Sequence, residues 1–201
     1  MAINVANNNS LASITALPSA VSGGAMTLLE TQTASSSATL SFTSDIDDTY
    51  DEYIFKFYNI HPATDSAMLQ FQVDTGTNTS YNQTITSTNF NAVHSEVDDS
   101  TSLAYRTARD LAQSTSFQSI TEGVDNDNDS CATGTLHLYE PSSSTFVKHF
   151  ISTTQSVINY PDTRETFCAG YINTTTAITR VQFKFNSGNI DSGVIKLYGI
   201  S

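Results

Sequence analysis

An all-β chain, folded as an antiparallel two-sheet β-sandwich, follows from three features of the sequence. Strand spacing leaves immunoglobulin-like and jelly-roll order open, and the long, strand-rich middle and hydrophobic final strand favour a jelly-roll-like order. Only 14% of the residues are charged, well below the roughly 25% of an average soluble domain, and Ser, Thr and Asn stand in their place. Aromatic residues reach 10%, as nine Tyr and eleven Phe, too many for a disordered chain. With β-branched residues they suit a pleated, half-buried surface. Strand signals recur at short intervals between turn residues, with one helical pattern among them. At 201 residues the length allows one domain, or one domain with a short appendage. It is long enough to bury a core without disulfide staples.

Residues 1–26 stand apart. Asn7-Asn8-Asn9-Ser10 leads into small residues, Pro18 and Gly23-Gly24, the composition of an arm or linker. Leu11, Ile14 and Leu17 lie three apart, a helical stripe suited to docking on another subunit. A frayed terminus is the plainer alternative. The sandwich domain spans residues 27–201 and opens with a strand over 27–33. A second covers 38–43, with Leu40 and Phe42 on one face. Residues 53–60 are apolar on both faces, Tyr53, Phe55 and Phe57 against Ile54, Tyr58 and Ile60, which reads as a central strand covered on both sides. His61-Pro62 ends it, because proline cannot donate to a ladder. Residues 67–73 alternate, with Leu69, Phe71 and Val73 inward and Gln70 and Gln72 outward.

Residues 81–90 read as a polar, edge-like strand. Over 103–112 the apolar residues Leu103, Ala104, Ala108, Leu111 and Ala112 approach helical spacing, so a short helix is expected there. Strand signals return over 116–122, and an acidic turn occupies 125–129. Residues 133–139 alternate with Leu136 and Leu138 inward, and 146–151 follow. Residues 166–172 place Phe167, Ala169 and Tyr171 on one face. Residues 179–185 alternate most clearly, with Val181, Phe183 and Phe185 inward, and residues 194–198 form the last strand. Gly134-Thr135-Leu136-His137-Leu138-Tyr139 echoes Gly193-Val194-Ile195-Lys196-Leu197-Tyr198, as if the two segments held related places in the sandwich.

The net charge is −12, from eight basic and twenty acidic residues. Such a surface opposes nucleic acid, whose binding needs Lys and Arg against phosphates, and opposes anionic membranes. The opening residues lack the basic and apolar regions of a secretory leader, and no apolar run reaches transmembrane length. A soluble protein made in the cytoplasm, with no membrane insertion, is expected. Cys131 and Cys168 leave both one disulfide and two free thiols open.

Catalytic patterns are scarce. The acidic run Asp45-Ile46-Asp47-Asp48-Thr49-Tyr50-Asp51-Glu52 reads as a solvated turn, since adjacent carboxylates lack the separation that glycoside hydrolysis requires. Asp125, Asp127 and Asp129 set oxygens at alternate positions, as calcium loops do. Ser130 replaces the turn glycine and Leu136 the closing glutamate of an EF-hand, so calcium would bind in another loop form; a polar surface turn is the alternative. No other cofactor is implied. His61, His94, His137 and His149 share no ligand spacing, and His137 points away from the core. Nucleophile-elbow, P-loop and dinucleotide patterns do not occur. Tyr50, Tyr81, Tyr105 and Tyr160 fall in or near loops and could stack on sugars; capping the edges of the core is the alternative.

The segments Leu28-Leu29-Glu30-Thr31-Gln32-Thr33-Ala34 and Phe42-Thr43-Ser44, residues 53–60, and the ending Gly193-Val194-Ile195-Lys196-Leu197-Tyr198-Gly199-Ile200 resemble small β-sandwich structural proteins of tailed, especially marine, bacteriophages. The resemblance implies a non-enzymatic virion protein, assembled in the host cytoplasm and repeated as a homo-oligomer, with a trimer as one form. A fibre or tail-tip subunit that touches a host-surface glycan is the first expectation, with other virion proteins as partners. A capsid-decoration or head-fibre protein is the second. A carbohydrate-binding module is the alternative from another class. The resemblance carries over no catalytic residue.

Overall fold

The alternation of apolar and polar residues assigns each strand one inward face. The structure, a computed structural model, describes residues 25–158 and 162–200, and among these it contains twelve strands and no helix. In chain order they are β1 (Met26–Ser37), β2 (Leu40–Phe42), β3 (Glu52–Pro62), β4 (Leu69–Thr75), β5 (Ile85–Ser95) and β6 (Thr101–Tyr105). There follow β7 (Gln118–Ser119), β8 (Ala132–Tyr139), β9 (Lys148–Ile158), β10 (Asp162–Ile172), β11 (Ile178–Phe185) and β12 (Ile190–Ile200). They form an eight-stranded sheet in the order β1-β12-β3-β8-β9-β10-β5-β6 and a four-stranded sheet in the order β2-β11-β4-β7. Every pairing is antiparallel.

Eight of these strands build a jelly roll, β1-β12-β3-β8 against β2-β11-β4-β7. The remaining four are two insertions: β5 and β6 between β4 and β7, and β9 and β10 between β8 and β11. They widen one sheet well beyond the other. The core therefore has two characters. Under the jelly roll it is aromatic, with Phe183 of β11 at the centre. Its ring centroid lies 5.1 Å from Phe55, 5.3 Å from Phe57 and 6.1 Å from Phe42, mostly edge to face. Phe71 meets Phe150 at 5.0 Å, joining the small sheet to β9.

Under the extension most inward residues are polar, among them Ser87, Asn89, Asn91, Ser152, Thr154 and Ser156, all buried. Here residues 106–125 cover the sheet and meet it through hydrogen bonds. Ser87 Oγ donates to Gln118 Oε1 at 2.5 Å, Asn89 Nδ2 to the Ser119 carbonyl at 3.2 Å, and Thr154 Oγ1 to the Ile120 carbonyl at 2.5 Å. An irregular segment carries unpaired backbone groups, so the sheet beneath it must offer partners.

Several expectations change. The expected helix over residues 103–112 is instead β6 followed by a turn. Leu103 pairs with Ala92 and Ala104 with Asn91, the Leu111 amide donates to Ser87 Oγ, and Arg106 and Arg109 are held by Glu122. A local helical pattern of five apolar residues yields to tertiary partners. The expected edge-like strand over 81–90 begins at Ile85 and lies inside the sheet, between β10 and β6. β3 is covered on one face only. A β-bulge with Asn59 at φ 50° turns Ile60 inward to join Tyr53, Phe55 and Phe57, and leaves Tyr58 41% exposed. Cys131 and Cys168 are free thiols, and burial pushes Cys168 up to about 12.

The sequence echo has a structural basis. β8 and β12 flank β3 on either side, so the two segments hold equivalent places. Gly134 and Gly193 have φ of 149° and 121°. A Cβ at Gly193 would lie 2.6 Å from the Asn59 carbonyl oxygen, and one at Gly134 would collide with that of Thr153. Both positions need glycine for its left-handed range and its missing side chain.

Candidate binding site

The chain has four arginines, Arg106, Arg109, Arg164 and Arg180, and three of them meet at the extension. Arg106 and Arg109 sit in the turn after β6, and Arg164 projects from the inward face of β10, beside Ser156 of β9 and Val93 of β5. All converge on Glu122, whose side chain is only 3% exposed. Arg106 Nε donates to Glu122 Oε1 at 2.6 Å, and Arg109 Nε to Oε2 at 3.2 Å. Asn91 Nδ2 adds a contact at 3.5 Å. A buried carboxylate is tolerable only with such partners.

Glu122, with Asp162 acting on Arg164, does not balance three guanidinium groups. Burial pushes Arg164 below its ordinary range, an effect opposed by Glu122 and reinforced by Arg106 and Arg109. Its Nε is shut off from solvent and has no hydrogen-bond partner among the described residues. Arginine stays protonated in proteins, so the site keeps surplus positive charge. A cavity of about 370 Å³ opens here, lined by the three arginines, Glu122, Ser66, Gly123 and Ile158. Ser66 Oγ donates to Asp65 Oδ1 at 3.3 Å, and no histidine lines the cavity. The arrangement can hold an anion; a nucleophile with an adjacent base is not assembled in it.

Comparison with protein families, with curated proteins and with solved structures finds no match for this chain.

The sites expected from sequence fall in varied places. Tyr50 packs its ring on Gly199 and meets Tyr53 edge to face at 5.8 Å. Tyr81 is 6% exposed. Tyr50 caps the core, and Tyr81 is buried outside the main apolar cluster. Tyr105 is exposed, with its hydroxyl donating to Asp110 Oδ2 at 2.6 Å. Tyr160 lies outside the described residues, as do Leu11, Ile14 and Leu17. Asp125 is buried and bonded to the Asn126 amide at 2.7 Å. Burial first, and then a hydrogen bond with Asp65, push its carboxyl above the usual range. Asp127 and Asp129 are exposed. Among the described residues no group of three or more His, Cys, Asp or Glu side chains is placed to hold a metal ion, so Asp125, Asp127 and Asp129 do not form a calcium cluster. The acidic run is a turn in which Asp47 accepts from the Thr49 amide at 2.9 Å and from Tyr53 Oη at 3.0 Å. His137 faces outward, with Nδ1 2.5 Å from Glu52 Oε1.

A second surface is larger. Directly opposed residues share a face, and the pairings define rows across the outer face of the eight-stranded sheet. One runs Leu28, Tyr198, Ile54, His137, Ile151, Ala169, Thr88. The next includes Lys196, Lys56, Thr135, Thr153, Phe167, Phe90 and Tyr105, where Phe167 and Phe90 stack at 4.9 Å. Of the nine exposed large hydrophobic side chains among the described residues, seven belong to this face: Met26, Leu28, Tyr58, Phe90, Leu103, Tyr105 and Ile151. Its charges are Lys56, Lys196, Glu52 and Glu165, which cancel, and each lysine lies over a tyrosine ring.

Proposed function

We propose that the protein is a non-enzymatic structural subunit of a bacteriophage particle, a fibre or tail-tip component that assembles with copies of itself and contacts a host-surface glycan. The observation that carries the reading is the outer face of the eight-stranded sheet. Apolar side chains are collected there, and clustered exposure of this kind marks association surfaces. The occupant is a second copy of the chain. With a net charge of −12, two copies repel one another over most of their surface, and least where the charges cancel. Jelly rolls recur in capsid and lectin subunits, which adds support by analogy of fold alone. The resemblance of the opening and closing strands to phage sandwich proteins supplies the setting.

Antibodies raised against the folded domain test that setting in electron micrographs of phage particles. Gold label at one fixed position, at the tail tip or along a fibre, is expected. Particles that carry the chain nowhere overturn the virion reading, and label spread over the head replaces the fibre by a capsid-decoration role.

A further inference from the structure

The cavity at Glu122 deepens the glycan-contact part of the proposed function and rests on it. We infer that this cavity binds the carboxylate of an acidic saccharide, with Arg164 and Arg106 as the anion-holding groups. Four observations converge. Three of the chain's four arginines meet at one small cavity. Glu122 occupies the Nε edges of Arg106 and Arg109, and no hydrogen bond of the Arg106 Nη groups is formed among the described residues. The Arg164 guanidinium lines the cavity while its Nε is buried without a partner among the described residues, so no hydrogen bond of that Nε offsets its charge and an anion in the cavity is favoured. The cavity, at about 370 Å³, has the volume of a small-molecule site.

The same geometry selects the ligand class. A guanidinium presents a planar fork that matches a carboxylate. Ile158 offers an apolar wall for the C–H face of a sugar ring. Asp162 lies near enough to Arg164 to act on its charge, and the chain as a whole is strongly negative. A polyanion such as nucleic acid meets repulsion beyond the first charge, whereas one isolated carboxylate on an otherwise neutral sugar does not.

The test is a titration of the intact protein with sodium glucuronate, followed by the Nε–H resonances of the arginines. Glucose serves as the neutral control and inorganic phosphate as the bare anion. Arg164→Gln assigns its own resonance and removes one fork, and Arg180→Gln removes the same charge at a distant position on β11. Saturable shifts of the Arg164 resonance by glucuronate are expected, with affinity at least tenfold weaker in Arg164→Gln and unchanged in Arg180→Gln. Glucose is expected to produce no shift. The inference is overturned if folded wild-type protein shows no shift with glucuronate, if phosphate binds and glucuronate does not, or if both variants bind alike. Should Arg164→Gln fail to fold, the wild-type titration alone still decides. Self-association is read by mass, so failure here leaves the assembly reading standing and is distinguishable from its failure.

Discussion

Single residues show how this fold houses polar groups in its interior. Lys148 is fully buried, and its ammonium donates to the carbonyls of Ser143, Phe146 and Thr174 at 2.5, 3.2 and 3.1 Å. It ties the loop before β9 to the loop after β10. Lys148→Met keeps the volume and strands three acceptors, so a loss of about 2–4 kcal/mol is expected in urea unfolding; a change within 0.5 kcal/mol would show that the carbonyls re-pair at no cost. Asp125 gives a pH signature. Its folded-state carboxyl titrates above the ordinary value of 3.8, because of burial and then the neighbouring Asp65. Charging it opposes folding above that raised value, and the penalty disappears as acid protonates the group. Asp125→Asn is therefore expected to melt higher than wild type at pH 7, with the gap closing below about pH 4. A gap that widens in acid contradicts this. Little of the residue scale was readable in the sequence. The inward phase of Leu136 and Leu138 and the outward phase of His137 were, because alternation is local. The Glu122 cluster was not, since it joins a turn, a covering segment and a distant strand; the crowding of Arg106 and Arg109 in a chain with eight basic residues was the one available hint.

At the scale of elements, strands were recognisable wherever one face is apolar, as in β4, β8 and β11. Prediction failed where partners beyond the strand decide. The apolar residues at 103–112 look helical in isolation, yet β5 offers Leu103 and Ala104 a ladder. Ile60 belongs to the wrong phase for the core until the bulge at Asn59 inserts a residue. β10 turns Cys168 and Ile172 to the core, so its apolar Phe167, Ala169 and Tyr171 lie outside. Gly134 and Gly193 face the bulge of β3 from its two sides, and the repeat between their segments reports equivalent geometry. Gly193→Ala forces a Cβ against the Asn59 carbonyl at a φ of 121°. Strain of this kind costs about 1–3 kcal/mol, and a drop of that size in chemical denaturation is expected. Stability equal to wild type would mean that β12 and the bulge at Asn59 move apart at no cost.

The whole molecule is a jelly roll with one sheet doubled in width, and that asymmetry accounts for both candidate surfaces. The four added strands extend past the small sheet, so their inner face is closed by a polar segment that leaves the arginine cavity. Their outer face, continuous with that of the jelly roll, spreads seven exposed apolar side chains over one surface. The sandwich was readable in the composition and strand spacing. The unequal sheets were not, because nothing in a strand's own residues says which neighbour it will pair with. Light scattering of the purified chain beside the variant Leu103→Asp/Ile151→Asp tests assembly through the broad face most directly, because each substitution puts a charge into an exposed apolar position without touching the core. Wild type is expected at the mass of a dimer or higher, and the variant as a monomer with an unchanged circular dichroism spectrum. A monomeric wild type, or a variant that assembles as wild type does, would contradict assembly through this face.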